Sequence, residues 1–223
     1  MSNSSDGTGK LRAALTTTDL YRACMQLSEE ARSLLVENEG MKRLGLNAQV
    51  LAAQTGNQGG ALEVIVAEIG RLSRGIREIL SELGDSARVL STASIEILHL
   101  SHLRSSYLLG NVAGIDPSSA DRYLGTLGEI DQRRSNHLDS LGLRLSGVES
   151  LVQDLARIAQ QIPPVTTMIR IVVTEIKTHS EGLLGTVEDL KNFHGNLDQK
   201  VERMRQIRSE GSNRIHDLRE EYE

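Results

Sequence analysis

The feature that most narrows what this chain can become is a pair of apolar helical patterns running into a glycine-rich stretch and out again, NAQVLAAQTGNQGGALEVIVAEIGRLS from Asn47 to Ser73. Ahead of the glycines, Ala48, Ala52 and Ala53 place small side chains along the helix. Beyond them Leu62, Ile65, Ile69 and Leu72 recur at steps of three and four, the spacing of an antiparallel coiled-coil seam. Gly56, Gly59 and Gly60 stand between the two patterns, where the backbone must reverse and a positive φ costs a residue without Cβ very little. The stretch predicts the tip of a helical hairpin, turning near 55–61.

The rest of the chain supports long helices. There is no Trp, one Phe and three Pro in 223 residues, so no broad aromatic core is available and many Leu and Ile contacts must share the burial. A first helix is expected from Thr17 or Thr18, either able to cap it, to about Gln54. Its seam is Leu20, Cys24, Leu27, Ala31, Leu34, Asn38, Met41, Gly45, Ala48 and Ala52. The second helix is expected to bury Leu62, Ile65, Ile69, Leu72, Ile76, Ile79, Leu83, Ser86, Leu90, Ala93, Ile97 and Leu100. A repeat that long demands a partner seam of similar length.

Four segments follow from the punctuation. Residues 1–16, polar at the start, read as a disordered tail, and 17–110 as the first hairpin. GNVAGIDPSS makes 111–119 a linker, with Asp116-Pro117 and serines ready to start the next helix. Residues 120–223 read as a second hairpin whose turn falls near 162–165, at Pro163 and Pro164, or else as one helix kinked there. Its seams are Leu138, Leu141, Leu145, Val148, Val152, Leu155, Ala159 and Ile162, then Val165, Ile169, Val172, Ile176, His179, Leu183, Thr186, Leu190, Phe193, Leu197, Val201 and Met204. The expected fold is all-α, with long antiparallel hairpins forming a four-helix coiled-coil bundle. Two arrangements satisfy that: up-down-up-down within one chain, or a homodimer through the first two helices.

The Asn47–Ser73 stretch resembles the signalling tip of bacterial chemoreceptors, the methyl-accepting chemotaxis proteins. Asn47, Ala48, Ala52, Ala53, Gly56, Gly59, Val64, Glu68 and Leu72 match the family's pattern without a gap, and Val50, Ile65 and Ile69 are conservative. The resemblance implies a cytoplasmic signal-transduction protein, not an enzyme, that presents its tip to a chemotaxis histidine kinase, a coupling adaptor or a receptor array. It assigns partner contact to Asn47, Leu51, Gln54, Asn57, Gln58, Val64, Ile65 and Glu68, and the turn to Gly56, Gly59 and Gly60. The chain departs from the pattern at Leu51, Gln54 and Asn57, where the family carries Glu, Arg and Glu, and at Glu39 and Arg43, where it carries apolar trimer contacts. Those changes keep hairpin geometry while removing most of the trimer chemistry.

Other functions find little footing. A formal charge of −5, mixed in sign along every helix, offers no basic face for nucleic acid and no polybasic segment for lipid. No run approaches the roughly 20 apolar residues of a membrane span, and the start lacks the apolar core of a signal peptide. Cys24 is alone and reads as a buried small side chain. His99 and His102 share a helical spacing without a third ligand nearby, so no metal is expected, and TGNQGG lacks the Lys-Ser/Thr of a phosphate loop, so no cofactor is either. Glu29-Glu30 and Gln160-Gln161 lack the flanking residues of the family's methylation sites. They read as ordinary solvated helix positions.

Overall fold

The computed structural model describes residues 4–54, 60–110, 117–175 and 180–220. All of these are helical except Gln160 and Gln161. The helices are α1 (Ser4–Gln54), α2 (Gly60–Gly110), α3 (Pro117–Ala159), α4 (Ile162–Glu175) and α5 (Ser180–Glu220). The protein is an all-α helical bundle with long helices packed together.

Two compact units can be distinguished. The first comprises Met1–Leu27, Asp85–Val148 and Gln206–Glu223, and the second Ser28–Gly84 and Glu149–Arg205. In the second unit the contacts fix every direction. Asn38 Nδ2 donates to the Ser73 carbonyl at 2.8 Å and Glu39 pairs with Arg77, so α1 and α2 run antiparallel. Lys200 reaches Ser33 at 2.6 Å while Leu51 packs at Gly182, so α5 runs antiparallel to α1. Arg71 bonds Gln161 and Gly75 abuts Ile158, which sets α3 against α2. Around the unit the order is therefore α1, α2, α3 with α4, and α5.

The seam of α1 is a strict heptad through Leu20, Cys24, Leu27, Ala31, Leu34, Asn38, Met41, Gly45, Ala48 and Ala52, every one buried. Fully burying an Ile or Leu of such a seam is worth about 1.5–3 kcal/mol, so stability is spread along the rods. The second seam departs from its expected phase. Leu80, Ala87 and Ser94 are buried, while Ile79, Ser86 and Ala93 are only half-buried. Leu72, Ile76 and Leu80 supply two successive steps of four, and this local insertion shifts the phase until Ile97.

Three boundaries also differ from expectation. Helix α1 begins at Ser4, inside the stretch read as a tail, because LRAAL continues the helical composition ahead of Thr17 and Thr18, which lie within the helix instead of capping it. Of the linker read over 111–119, Pro117 already opens α3, where its fixed φ suits a first helical position; 111–116 lie outside the described residues. The turn expected near 162–165 is not a reversal. Gln161 stands level with Arg71 and Gly182 with Leu51, so the 14 residues of α4, about 21 Å long, carry on toward the same end as α3.

That break is a kink with a clear cause. Gln160 N–H still bonds Ala156, Gln161 N–H tightens to Ile158, and the two prolines then offer no N–H to the carbonyls four residues back. Thr166 and Thr167 hydroxyls both donate to the Pro163 carbonyl, at 2.7 and 3.0 Å, which holds the first turn of α4. Ile176 and His179, placed in the seam by sequence, lie outside the described residues.

In the first unit, Tyr107 and Tyr123 stack at 5.7 Å and the Tyr123 hydroxyl donates to the Tyr107 carbonyl, joining the end of α2 to the start of α3. Arg104 and the buried Arg134 both meet Asp131, at 2.9 and 3.2 Å. Arg219 of α5 pairs with Asp139 of α3 at 2.7 Å.

Candidate partner-binding surface

The rods of the second unit end at Gln54, Gly60, Glu175 and Ser180, and these four ends lie together. Here the heptad arithmetic sorts the predicted tip residues into two sets. Ala48, Ala52, Leu62, Ile65, Ile69 and Leu72 close the seam. Asn47, Val50, Gln54 and Val64 point outward, with Val50 57% and Val64 66% exposed.

Three of the expected contact residues lie outside that outward set. Ile65 is buried in the seam and offers a partner nothing, since it follows Leu62 at a step of three. Glu68 is half-buried and held by Arg71 at 2.6 Å; the hydrogen bonds from this guanidinium push its carboxyl below the usual range. Leu51 is half-buried against α5, where a methyl group on Gly182 would sit 3.3 Å from its Cδ1. Gly60 is the first residue of α2, while Gly56, Asn57, Gln58 and Gly59 lie outside the described residues.

The structure adds a feature that the hairpin alone does not reveal. Leu44, Asn47, Val50, Leu51 and Gln54 of α1 face Gly182, Gly185, Thr186 and Asp189 of α5 across an open groove of about 420 Å³. Gly182 and Gly185 leave part of the α5 wall without side chains, while Asn47, Gln54, Thr186 and Asp189 make the lining as polar as it is apolar. Asp189 is its only charged lining residue.

A more apolar surface lies on the α2 and α4 side. One heptad beyond the Arg71–Gln161 contact stand Val64 and Met168, and Ile171 follows one turn later at 56% exposure. Helix α4 is the most apolar helix of the chain, with Arg170 and Glu175 its only charges, and its exposed face mixes Met168 and Ile171 with Thr167, Arg170 and Thr174. Among the large apolar side chains this unit exposes, all but Val36 (Leu46, Val50, Val64, Met168, Ile171 and Leu184) fall within eight residues of the four rod ends.

The α5 wall and the α4 ridge were missed by sequence reasoning, although both left a signal. Gly182 and Gly185 flank the seam residue Leu183, and Val165 to Ile176 is the most apolar window in the chain.

His99 and His102 are both exposed, and among the described residues no group of three His, Cys, Asp or Glu side chains could hold a metal ion. No described helix is long and apolar enough to cross a membrane. Cys24 is buried, and desolvation pushes its thiol up to about 11.

Comparisons with protein-family profiles, with curated proteins and with solved structures gave no match for the chain.

Proposed function

We propose that this is a chemoreceptor-like signal-transduction protein that presents the end of its Asn47–Ser73 hairpin to a chemotaxis histidine kinase, its coupling adaptor or a receptor array. The observation that carries the reading is the division of that hairpin into a closed seam and an outward set, Asn47, Val50, Gln54 and Val64, of amide and apolar side chains available for contact. Recognition would be by shape, with aliphatic side chains supplying contact area and the two amides fixing orientation. No catalytic step is asked of the chain.

Co-sedimentation of the purified chain with purified kinase and adaptor tests this. Binding is expected, and Val64→Glu should weaken it at least tenfold by placing a charge in an apolar contact. Absence of binding to either protein, or binding that neither Val64→Glu nor Asn47→Ala alters, would overturn the signalling version.

A second reading, a structural interaction or scaffold protein with the receptor fold but without kinase control, has two observations in its favour. Glu39, where the receptors carry an apolar trimer contact, is engaged inside the hairpin with Arg77. The four rods of one chain also pack with one another, whereas the receptors pair hairpins from two identical chains.

A further inference from the structure

Independently of the signalling reading, we propose that α4 is a separately opening segment of the second unit. It leaves the bundle and unwinds as one block about Gln160 and Gln161 while α3 stays in place, uncovering apolar core that the closed rods hide.

The backbone is already parted at this joint. Gln160 N–H bonds Ala156 and Gln161 N–H bonds Ile158, both within the end of α3, and Pro163 and Pro164 have no N–H with which to reach back across the break. Opening of α4 is therefore not transmitted along the hydrogen-bond ladder into α3.

The side chains of α4 add no polar tie to the other rods. Thr166 and Thr167 donate to the Pro163 carbonyl and Thr174 to that of Ile171, all within α4, and among the described residues Arg170 takes part in no ion pair. By contrast, Lys200 ties α5 to Ser33, Glu30 and Glu37, and Asn38 and Glu39 tie α1 to α2. Helix α4 is held by the burial of Ile162, Val165, Ile169 and Val172, and at the joint by Arg71, whose guanidinium bonds Glu68 and Gln161 together.

The core beside the joint is partly polar. Ser73 stands between Arg71 and Gly75, which touch Gln161 and Ile158, so Asn38 and its unpartnered Oδ1 are level with the break. Asn38, Ser73 and Ala159 are all buried there, and they offer less apolar contact than Leu or Ile would. Length then decides how α4 opens. A helix of 14 residues is marginal in water without tertiary contacts, whereas α3 has 43 residues. Once out of the bundle α4 unwinds, and its amides exchange with solvent together.

Hydrogen exchange of the unmodified chain reads this directly. The amides of 168–174 should exchange as a block, about tenfold or more faster than those of 152–159. Arg71→Ala, which removes the bond at the joint, should speed the α4 block about threefold or more and leave the α3 block unchanged. Pro163→Ala with Pro164→Ala should bring the two blocks to the same rate. Thiol labelling in a Cys24→Ser chain gives a second readout, with Val165→Cys and Val152→Cys each replacing a side chain 2% exposed by one of similar size. The thiol at 165 should label about tenfold or more faster than that at 152. Equal exchange rates for the two blocks of the unmodified chain overturn the proposal, as does a difference that survives replacement of both prolines. So does labelling of Val165→Cys no faster than that of Val152→Cys.

Discussion

The first hairpin and the second are built from the same kind of seam, yet their chain-breaking residues do opposite things. In the first, glycines separate two rods that face each other, as Asn38 with Ser73 and Glu39 with Arg77 show. In the second, two adjacent prolines interrupt a rod that nevertheless continues, as Gln161 beside Arg71 and Gly182 beside Leu51 show. The difference lies in the phase of the apolar repeat. Across Pro163 and Pro164 the buried positions Leu155, Ala159, Ile162, Thr166 and Ile169 keep steps of three and four, so both halves must present their apolar faces to one core. A pair of prolines removes two backbone donors, but an unbroken phase holds the direction of the rod.

The sharpest way to break this comparison is to insert two residues at each site. Between Gln160 and Gln161 the insertion rotates α4 by about 200°, turning Ile162, Val165, Ile169 and Val172 away from the core. Loss of their burial should cost about 5 kcal/mol or more and uncouple the second unit in urea unfolding. Between Asn57 and Gln58 the same insertion lengthens a connection and should cost only about 0.3 kcal/mol. Equal effects at the two sites would mean that phase does not direct the rod.

Replacing both prolines by alanine sharpens the same point. If the rod runs straight on, Pro163→Ala with Pro164→Ala restores two N–H groups to carbonyls that lack them, and the midpoint of urea unfolding should rise by the equivalent of about 1–2 kcal/mol. In a true reversal the change would remove a turn and lower the midpoint.

The all-α architecture, the four-rod bundle and α1 from Thr17 onward were legible in the sequence, because a heptad repeat is a local signal that needs no knowledge of partners. The run on past the prolines was legible too, in the spacing from Leu155 to Ile169, although two adjacent prolines by themselves fit a turn as well as a kink. The phase shift at Ile76 and Leu80 was harder to see, since Ile79 and Leu80 are equally apolar and only the neighbouring rods decide between them. The groove was not legible. It needs α5 beside α1, a relation between residues separated by more than a hundred positions, and no repeat within one helix reports which rod lies next to which.

Within the first hairpin, Asn38 is a position where the seam holds an amide at 0% exposure. Its Nδ2 is satisfied by the Ser73 carbonyl, while its Oδ1 has no hydrogen-bond partner. Such an amide fixes register at a cost in stability. Asn38→Leu should therefore raise stability by about 1–2 kcal/mol in urea unfolding, at the expense of a single pairing of α1 with α2. Hydrogen exchange should show that loss as weakened protection around Ser73 and Arg77, and a destabilised variant would mean that the Ser73 bond outweighs the orphaned oxygen.

Cys24 yields no effect at neutral pH and a clean sign above it. Burial raises its thiol from 9.0 to about 11, so the folded chain keeps a proton that the unfolded chain releases first. The resulting contribution is fully present below pH 9 and is lost as the pH climbs through the folded value, because the thiolate form then draws the equilibrium toward the unfolded chain. Two pH units correspond to roughly 2–3 kcal/mol as an upper bound, most of it falling between pH 9 and 11. Cys24→Ser, which does not titrate there, should flatten that part of the stability curve. In the wild-type chain a thiol reagent at pH 8 should react only as fast as the first unit opens, and rapid labelling without denaturant would show that the seam at Cys24, unlike the solvent-facing kink at Pro163 and Pro164, is not dry after all.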